Sequence, residues 1–377
     1  MIPEPNFPAN PDEFVGRQPQ IESFRRLVQQ GLTVRRTIST AVLGDWGIGK
    51  SSLLLKLATI CSESNYRMLP VFLSISKELG NYLNFAENLL DRLGMTLIAE
   101  GDLTTRLRGE VQNWKLTRVN VGGLTLDRER PQFFLSSGTA LLRHALSDAW
   151  TKFLRPANLQ GAVFFLDDLH NLTGPSPQDV ALVLRDQFQS FGIDGINYSV
   201  CFSAPTDYFG NIRHLAEPAV RFYSKFYLTT FTLEEITQYV KTVFGADRSK
   251  SEGISHWLYE KTLGHPYFLA FICRQLATHV PDSPAESPEH QWPIIFEELG
   301  KEKFRTDLAH ATEKELGLLH SLATSDNDEV SPGQFGSRFQ PEYFRRLTER
   351  GLLVRTGRGR YKLYHPLFKL FLQGLKP

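Results

Sequence analysis

Short apolar runs alternate along this chain with longer segments in which apolar residues recur at helical spacing. The apolar runs lie at residues 40–43, 71–75, 163–166 and 198–202. Each run has the length of a buried strand, and the four consecutive apolar residues at 163–166 are typical of a central parallel strand covered on both faces. Segments such as 21–28 and 138–155 predict helices between the strands. The pattern therefore predicts an α/β fold with a parallel sheet.

The C-terminal third has a different pattern. A proline-rich stretch at 281–293 favours a linker. After it, apolar positions at 315–319 predict a helix, and a second helix begins at Pro341. Residues 352–363 predict a hairpin that is followed by an amphipathic helix. The order helix, turn, helix, hairpin is that of a winged helix.

The composition is that of a soluble globular protein, with 41% hydrophobic and 22% charged residues. Its three cysteines lack metal-ligand spacing, so we expect buried thiols in a reducing, cytoplasmic compartment. No apolar run reaches the ~20 residues of a membrane-spanning helix, and the first residues do not resemble a signal peptide. The net charge is only +1, but residues 338–377 carry ten Lys and Arg against two Asp and Glu. A basic C-terminal module of charge +8 is therefore expected on a body of charge −7.

One motif has a specific chemical meaning. A loop of the form G-x-x-x-x-G-K-S follows the run at 40–43 and precedes a helix-forming segment. Its backbone N–H groups and the helix N-terminus are predicted to bind the β-phosphate of a nucleotide. We expect Lys50 to contact the β- and γ-phosphate oxygens and the Ser51 hydroxyl to ligate Mg²⁺. A chance match in a glycine-rich turn is the alternative. The predicted nucleotide-binding residues are Gly44, Asp45, Trp46, Gly47, Ile48, Gly49, Lys50, Ser51 and Ser52.

A second motif follows the run at 163–166. Asp167 and Asp168 fall at the C-terminal edge of the predicted strand, where ligands bind in open α/β sheets. We expect Asp167 to hold Mg²⁺ through a water molecule and Asp168 to polarise the attacking water. Ser203, at the tip of the following strand, is the best candidate for sensing the γ-phosphate, with Thr206 and Asp207 as the next candidates. The alternatives are a solvated acidic turn for the aspartates and a simple turn for Ser203.

These motifs define the predicted domains. They are a P-loop NTPase core at 1–215, a helical lid at 216–280, a linker at 281–310 and a winged-helix domain at 311–377. Within the core, residues 100–135 form an insertion, in which 119–126 alternate on both sides of a Gly-Gly turn. A β-hairpin is the first interpretation of this insertion, and a disordered loop is the alternative.

The order of the motifs resembles the AAA+/STAND branch of P-loop ATPases, in particular the ATPases related to origin-recognition initiators and to NB-ARC switches. Five landmarks carry the resemblance. They are residues 14–17, the phosphate loop, the strand ending in Asp167 and Asp168, Arg221 with its following strand, and residues 264–266. The resemblance covers most of the chain outside 100–135 and 281–310.

The resemblance implies roles for further residues. Phe14 and Val15 would line the adenine pocket, and Arg17 would lie near the phosphates. Arg221 would be an arginine finger that stabilises charge on the transferred phosphoryl group. A surface contact is the alternative for Arg17, and a salt bridge at a helix end is the alternative for Arg221. Pro266 replaces the usual lid arginine in a Gly-x-Pro arrangement, which favours a slow switch over a motor. ATP is preferred over GTP because no Asn-Lys-x-Asp motif occurs.

Basic residues cluster on the predicted winged helix. A DNA-binding winged helix places its second helix in the major groove and its wing on the phosphates. The candidate DNA contacts are Arg345, Arg346, Arg350, Arg355, Arg358, Arg360 and Lys362. The alternative is a protein-interaction module or a solvated face.

Two classes of function follow. In the first, binding of ATP and Mg²⁺ drives assembly into a homo-oligomer in which Arg221 completes a neighbouring site, and the assembly engages double-stranded DNA. In the second, the protein is a nucleotide-gated signalling or defence switch whose winged helix binds a protein partner.

Overall fold

The computed structural model describes residues 2–34, 39–100, 131–172, 177–212, 217–248, 252–279 and 288–375. They form two compact units. The N-terminal unit is Pro8–Thr229, and the C-terminal unit is Thr230–Pro377 with Met1–Phe7. The predicted β-hairpin at 119–126 lies outside the described residues.

A five-stranded parallel sheet forms the centre of the N-terminal unit, in the order β2-β3-β4-β1-β5. The strands are β1 (Ser39–Leu43), β2 (Met68–Ser74), β3 (Gly161–Asp167), β4 (Tyr198–Ala204) and β5 (Tyr223–Tyr227). The helices are α1 (Gln18–Val34), α2 (Lys50–Cys61), α3 (Tyr82–Glu100), α4 (Pro131–Ala149), α5 (Pro177–Ile193), α6 (Tyr208–Ile212) and α7 (Glu217–Phe222). The predicted α/β fold with a parallel sheet is confirmed.

Strand β3 shows why this sequence folds as a central strand. All seven of its residues are buried, and successive side chains point to opposite faces of the sheet. Phe164 and Leu166 belong to the core formed with α3, α4 and α5. Val163 and Phe165 belong to the core formed with α1 and α2. A continuous apolar run is therefore needed here, as the sequence predicted.

The boundary of the N-terminal unit differs from the predicted one. The unit ends at Thr229 rather than at 215, because β5 pairs in parallel with β1 and completes the sheet. Helix α7 leads directly into β5, so both belong to the core and not to a helical lid. Helix α4 also begins earlier than predicted, at Pro131.

The C-terminal unit is mainly helical. Its helices are α8 (Leu233–Arg248), α9 (Glu252–Thr262), α10 (Pro266–His279), α11 (Pro288–Leu299), α12 (Arg305–Leu308), α13 (Glu313–Ala323), α14 (Pro341–Glu349) and α15 (Pro366–Gly374). Strands β6 (Leu353–Gly357) and β7 (Arg360–Leu363) form an antiparallel hairpin. The predicted helix at Pro341 and the predicted hairpin are thus both present.

Part of the predicted linker at 281–310 is helical. Helix α11, a π-helical turn at Gly300–Phe304 and α12 follow one another between 288 and 308. Four prolines suggested a linker. Pro288 begins α11 and Pro293 lies inside it, whereas Pro281 and Pro284 lie outside the described residues. Ile295, Leu299 and Phe304 are buried in one core with residues of α8 to α10 and of α13 to α15. This shared core explains why the segment is ordered as helix.

His365 illustrates how closely the elements of this unit are joined. Its Nδ1 accepts a hydrogen bond from the backbone N–H of Leu367 (3.1 Å), and its Nε2 lies 2.9 Å from the carbonyl oxygen of Thr262. Burial lowers the pKa of His365 to about 4, so the ring is neutral at neutral pH. The proton is therefore on Nε2, and His365 connects the start of α15 to the end of α9.

The described helices include none that is both long enough and apolar enough to cross a membrane. Cys61, Cys201 and Cys273 are buried and form no disulfide, as predicted.

Gly264 provides a test of the packing of the C-terminal unit. Its φ is +74°, and a Cβ atom there would lie 2.1 Å from the carbonyl oxygen of Phe231. We expect Gly264→Ala to lower the free energy of unfolding by about 1–3 kcal/mol, because both its own backbone and the neighbouring backbone at Phe231 would have to shift. Urea unfolding followed by circular dichroism measures this change.

Gly253→Ala is the matched control. Gly253 lies in α9 with no heavy atom within 4 Å of an added Cβ, so its replacement should leave stability unchanged or slightly raised. Equal stability of Gly264→Ala and the unaltered protein would contradict the close approach to Phe231.

Candidate active site

The phosphate loop connects β1 to α2 in the N-terminal unit. Gly47 and Gly49 have φ values of +70° and +92°, which glycine adopts without strain. At Gly44 an added Cβ would lie 2.6 Å from the Cγ2 of Ile48, so the loop closes tightly on itself. The result is a compact turn that ends at the N-terminus of α2, where backbone N–H groups have no helical partner.

Lys50 lies within this turn. Its Nζ donates hydrogen bonds to the carbonyl oxygens of Gly44 and Asp45, both at 2.9 Å. Burial lowers the pKa of Lys50, and Asp168, Asp167 and Asp45 oppose this effect. The ammonium group is therefore held in the loop by carbonyl oxygens and by acidic neighbours, close to where a phosphate would bind.

The carboxyl ends of β3 and β4 carry the second part of the site. The buried hydroxyl of Ser203 donates to Oδ1 of Asp167 (2.6 Å) and accepts from the backbone N–H of Asp168 (2.7 Å). Ser203 therefore connects the tips of these strands. Because β4 lies between β3 and β1, this group of residues adjoins the phosphate loop.

Asp168 has an unusual environment. Its backbone is in the left-handed region (φ +57°, ψ +48°), which is uncommon for a residue with a side chain. Burial raises the pKa of Asp168, and so does the charge of Asp167, whereas His170 and Lys50 lower it. Strained backbone and perturbed titration are both typical of functional sites.

The segment before α1 packs against the phosphate loop and α2. Arg17 is buried and donates to the carbonyl oxygen of Ile48 (3.1 Å). The backbone N–H of Ala9 donates to the hydroxyl of Ser52 (3.0 Å). Val15 is buried, and Phe14 is half-buried against the core of α1 and α2. The structure thus gives Arg17 a direct contact with the backbone of the loop. The roles of Phe14, Val15 and Arg17 toward the nucleotide stay predictions.

The donors at this site suit Mg²⁺. Ser51 in the first turn of α2 and Asp167 at the end of β3 supply a hydroxyl and a carboxylate, and Mg²⁺ takes oxygen ligands. It is usually bound by one or two protein groups together with phosphates and water. Asp167 is buried beside a second aspartate, an arrangement that a cation stabilises.

Comparison with known families agrees with this geometry. Residues 13–191 match a family model described as an AAA ATPase domain.

The phosphate loop and the aspartate pair both lie within the residues that are similar to AAA ATPase domains.

Solved structures share the fold over nearly the whole chain. The Walker-type ATPase PABY2304 of Pyrococcus abyssi has 13% identity and a TM-score of 0.60, with 98% of this chain and 99% of that chain covered. The ORC2 protein of Aeropyrum pernix, in ADPNP-ADP complexes, has 13% identity and a TM-score of 0.51, with 98% and 96% covered. The ORC1 protein of the same organism, in complex with DNA, has 12% identity and a TM-score of 0.50, with 95% and 92% covered. No curated protein matches the chain in sequence.

Arg221 and Pro266 were also predicted as site residues. Arg221 on α7 is 77% exposed and forms an ion pair with Glu217 one turn earlier. Pro266 is the first residue of α10 in the C-terminal unit, outside the matched residues 13–191. Their roles toward the nucleotide remain predictions.

Two further residues contribute to the site. Thr206, a secondary candidate from the sequence, donates from its hydroxyl to Oδ1 of Asp45 in the phosphate loop (2.8 Å). Sequence reasoning missed His170. Nδ1 of His170 lies 3.9 Å from Oδ1 of Asp168. The position of His170, two residues after the aspartate pair, was the available signal for its role.

The candidate DNA contacts divide into two groups. On α14, Arg345 forms ion pairs with Glu342 and Glu349. Arg346 and Arg350 lie 3.0 Å and 3.6 Å from the carboxylate of Glu315, which is fully buried.

The hairpin residues are more accessible. Arg355, Arg358, Arg360 and Lys362 are exposed on β6, β7 and the turn between them. Arg360 lies 3.9 Å from Glu329, a weak exposed pair. The hairpin therefore presents most of its basic side chains to solvent.

Ser203 offers a test of the connection between the two aspartates. In Ser203→Ala the buried Asp167 carboxylate and the Asp168 N–H would both lose their partner, at a cost of about 1–3 kcal/mol each. We expect ATP hydrolysis to fall more than about 10-fold while ADP affinity changes little, because the phosphate loop is untouched. Steady-state hydrolysis and fluorescent-nucleotide titration measure the two effects.

Ser224→Ala on the outer strand β5 is the control, since Ser224 is half-buried and sits opposite Thr40 away from the strand tips. If Ser203→Ala hydrolysed ATP at the same rate as Ser224→Ala, Ser203 would have no part in the chemistry.

Proposed function

We propose that this protein binds ATP with Mg²⁺, hydrolyses it slowly, and uses the bound nucleotide to control self-assembly and engagement of DNA. The observation that carries the proposal is the proximity of two groups at one sheet edge. One is Lys50 in the phosphate loop, and the other is the Asp167–Ser203–Asp168 network. A cation for the phosphates and a carboxylate pair for metal and water are the parts that phosphoryl transfer requires.

Each residue has a definite task in this proposal. The loop N–H groups and Lys50 bind the β- and γ-phosphates. Ser51 and Asp167 hold Mg²⁺, which neutralises charge on the phosphates. Asp168 orients the attacking water. Ser203 keeps Asp167 and Asp168 in register, and in this proposal it also senses the γ-phosphate.

Two features favour slow turnover. Asp168 is one methylene shorter than a glutamate in the same place, so its carboxylate reaches less far toward a water molecule. Pro266 occupies a position where related motors carry an arginine. A bound ATP would therefore persist, which suits a switch.

Self-assembly is supported by the accessibility of Arg221. A residue that completes the site of a neighbouring subunit must be exposed in the isolated chain. Any ion pair that it forms within its own chain must also be weak enough to break. Arg221 meets both conditions, because its pair with Glu217 is exposed and exposed pairs are worth less than about 1 kcal/mol. In this proposal Phe14 and Val15 line the adenine pocket.

Engagement of DNA is supported by the C-terminal elements. The order α13, a 3₁₀ turn at Pro332–Phe335, α14, β6, β7 is that of a winged helix. An isolated antiparallel β-bridge between Val330 and Tyr361 adds a short third segment to the hairpin. The exposed basic hairpin would contact phosphates, and the structurally similar ORC1 protein was solved in complex with DNA.

A protein-binding switch is the second candidate. It is favoured by the pairing of Arg346 and Arg350 with buried Glu315, which commits two of the seven basic residues to internal contacts.

Lys50 tests the nucleotide part of the proposal. Lys50→Ala removes a charge-assisted contact worth about 1.5–3 kcal/mol, so ATP affinity should fall roughly 10- to 100-fold and hydrolysis should be lost. Isothermal titration with the non-hydrolysed analogue ADPNP and magnesium measures the affinity. Lys241→Ala, an exposed lysine on α8, makes the same change in net charge and should behave as the unaltered protein. Undiminished ATP affinity in Lys50→Ala would refute the assigned site.

The hairpin tests the DNA part. Replacing Arg355, Arg358 and Arg360 by alanine should weaken duplex DNA binding and reduce the slope of log affinity against log salt by about 2.7, or 0.9 for each phosphate that is no longer neutralised. The slope is measured by fluorescence anisotropy titrations at salt concentrations from about 50 to about 200 mM.

A charge-matched control is available in the N-terminal unit. Replacing the exposed residues Arg92, Arg155 and Arg67 by alanine removes the same net charge. The charge is then lost from the N-terminal unit and not from the hairpin. If both triple variants bound DNA alike, or if the unaltered protein bound none at low salt, the protein-binding alternative would be preferred.

A further inference from the structure

A single 3₁₀ turn, Leu169–Asn171, follows the aspartate pair. Leu169 is buried at 1% exposure in the core of the N-terminal unit. Asn171 donates from its side chain to the carbonyl oxygen of Ile75 (3.0 Å) and from its backbone to that of Asp168 (2.9 Å). The backbone of His170 is thus held between two anchored neighbours.

The ring of His170 faces the carboxylate of Asp168. Its Nδ1 lies 3.9 Å from Oδ1 of Asp168, with about two-fifths of each side chain exposed. The Asp168 backbone is fixed independently by the hydrogen bond from its N–H to Ser203. The orientation of the carboxylate, rather than the position of the backbone, is therefore what His170 can influence.

The charges around His170 indicate a neutral ring. Burial lowers the pKa of His170, and so do Lys50 and Lys77, whereas Asp168 and Asp167 raise it without reversing the direction. A neutral ring carries one N–H that can donate a hydrogen bond and is not a fixed cation.

We propose that His170 is a positioning residue for ATP hydrolysis, whose Nδ1–H orients the carboxylate of Asp168 toward the attacking water. This inference rests on the proposed function. The short side chain of Asp168 makes orientation more critical than it is for a longer glutamate. Catalytic hydrogen bonds are often long without substrate and tighten in the reactive complex, so the 3.9 Å separation would shorten as the nucleotide binds.

The test uses three variants of the full-length protein. His170→Ala should lower kcat for ATP roughly 10- to 100-fold, the range found when an orienting partner is removed. KM for ATP and the Kd of ADPNP should change less than about 2-fold, because His170 does not contact the phosphate loop. His170→Asn places its amide N–H near the position of Nδ1 and should restore much of kcat. His170→Gln places its amide near Nε2 and should not.

A double-mutant cycle with Asp168→Asn adds a second readout. If His170 acts through Asp168, then His170→Ala should cost nothing further once the Asp168 carboxylate has been removed. His144→Ala on α4 is the matched control, since His144 also lies 4.0 Å from an aspartate, Asp148, in an exposed pair. Its kcat should equal that of the unaltered protein.

Several results would overturn the inference. An unchanged kcat in His170→Ala would do so, as would equal rescue by Asn and Gln or additive losses in the cycle. A fall in kcat that accompanied a lower Tm and was not rescued by Asn would identify a structural role. Failure of the proposed function itself is distinguishable: hydrolysis would then be absent in the unaltered protein, or would survive Lys50→Ala, and the inference would fall with it.

Discussion

One hydroxyl group connects the chemistry of this protein to its sheet. Ser203 donates to Asp167 and accepts from the backbone of Asp168, so the end of β4 is joined to the aspartate pair at the end of β3. Strand β4 lies between β3 and the strand that carries the phosphate loop, which brings the pair to the same sheet edge as the loop. The buried hydrogen bonds also satisfy a carboxylate that would be costly to bury alone.

The charges of the phosphate loop and of the aspartate pair affect one another. Lys50 is buried enough for its pKa to fall, and Asp168 is buried enough for its pKa to rise. The opposite charges of Lys50 and Asp168 stabilise each other, so the pKa of each group depends on the other group. Carbonyl oxygens of Gly44 and Asp45 hold the lysine in the loop. A triphosphate would offer Lys50 a stronger partner than these carbonyls, which is how the loop is suited to bind one.

Basic residues that lie close together in the sequence of the C-terminal unit have different roles in its structure. Arg346 and Arg350 stabilise the buried carboxylate of Glu315, and removing either would leave that charge less compensated. The hairpin arginines have no such task and are exposed. Meanwhile the helices of the predicted lid, the predicted linker and the predicted winged helix share one core. The contact of His365 with Thr262 joins the start of α15 to the end of α9 within this core.

Local pattern determined the α/β fold, the strands β1 to β4, the phosphate loop and the aspartate pair, because strand burial and loop glycines follow from short-range residue types. It also predicted α14 and the β6–β7 hairpin. Tertiary structure alone decided the rest. Pairing with β1 placed β5 in the core rather than in a lid, and burial of Leu299 and Phe304 turned a proline-rich stretch into helix. Which arginines are internal, and that His170 faces Asp168, depend on residues brought together from different elements, which no spacing along the chain can specify.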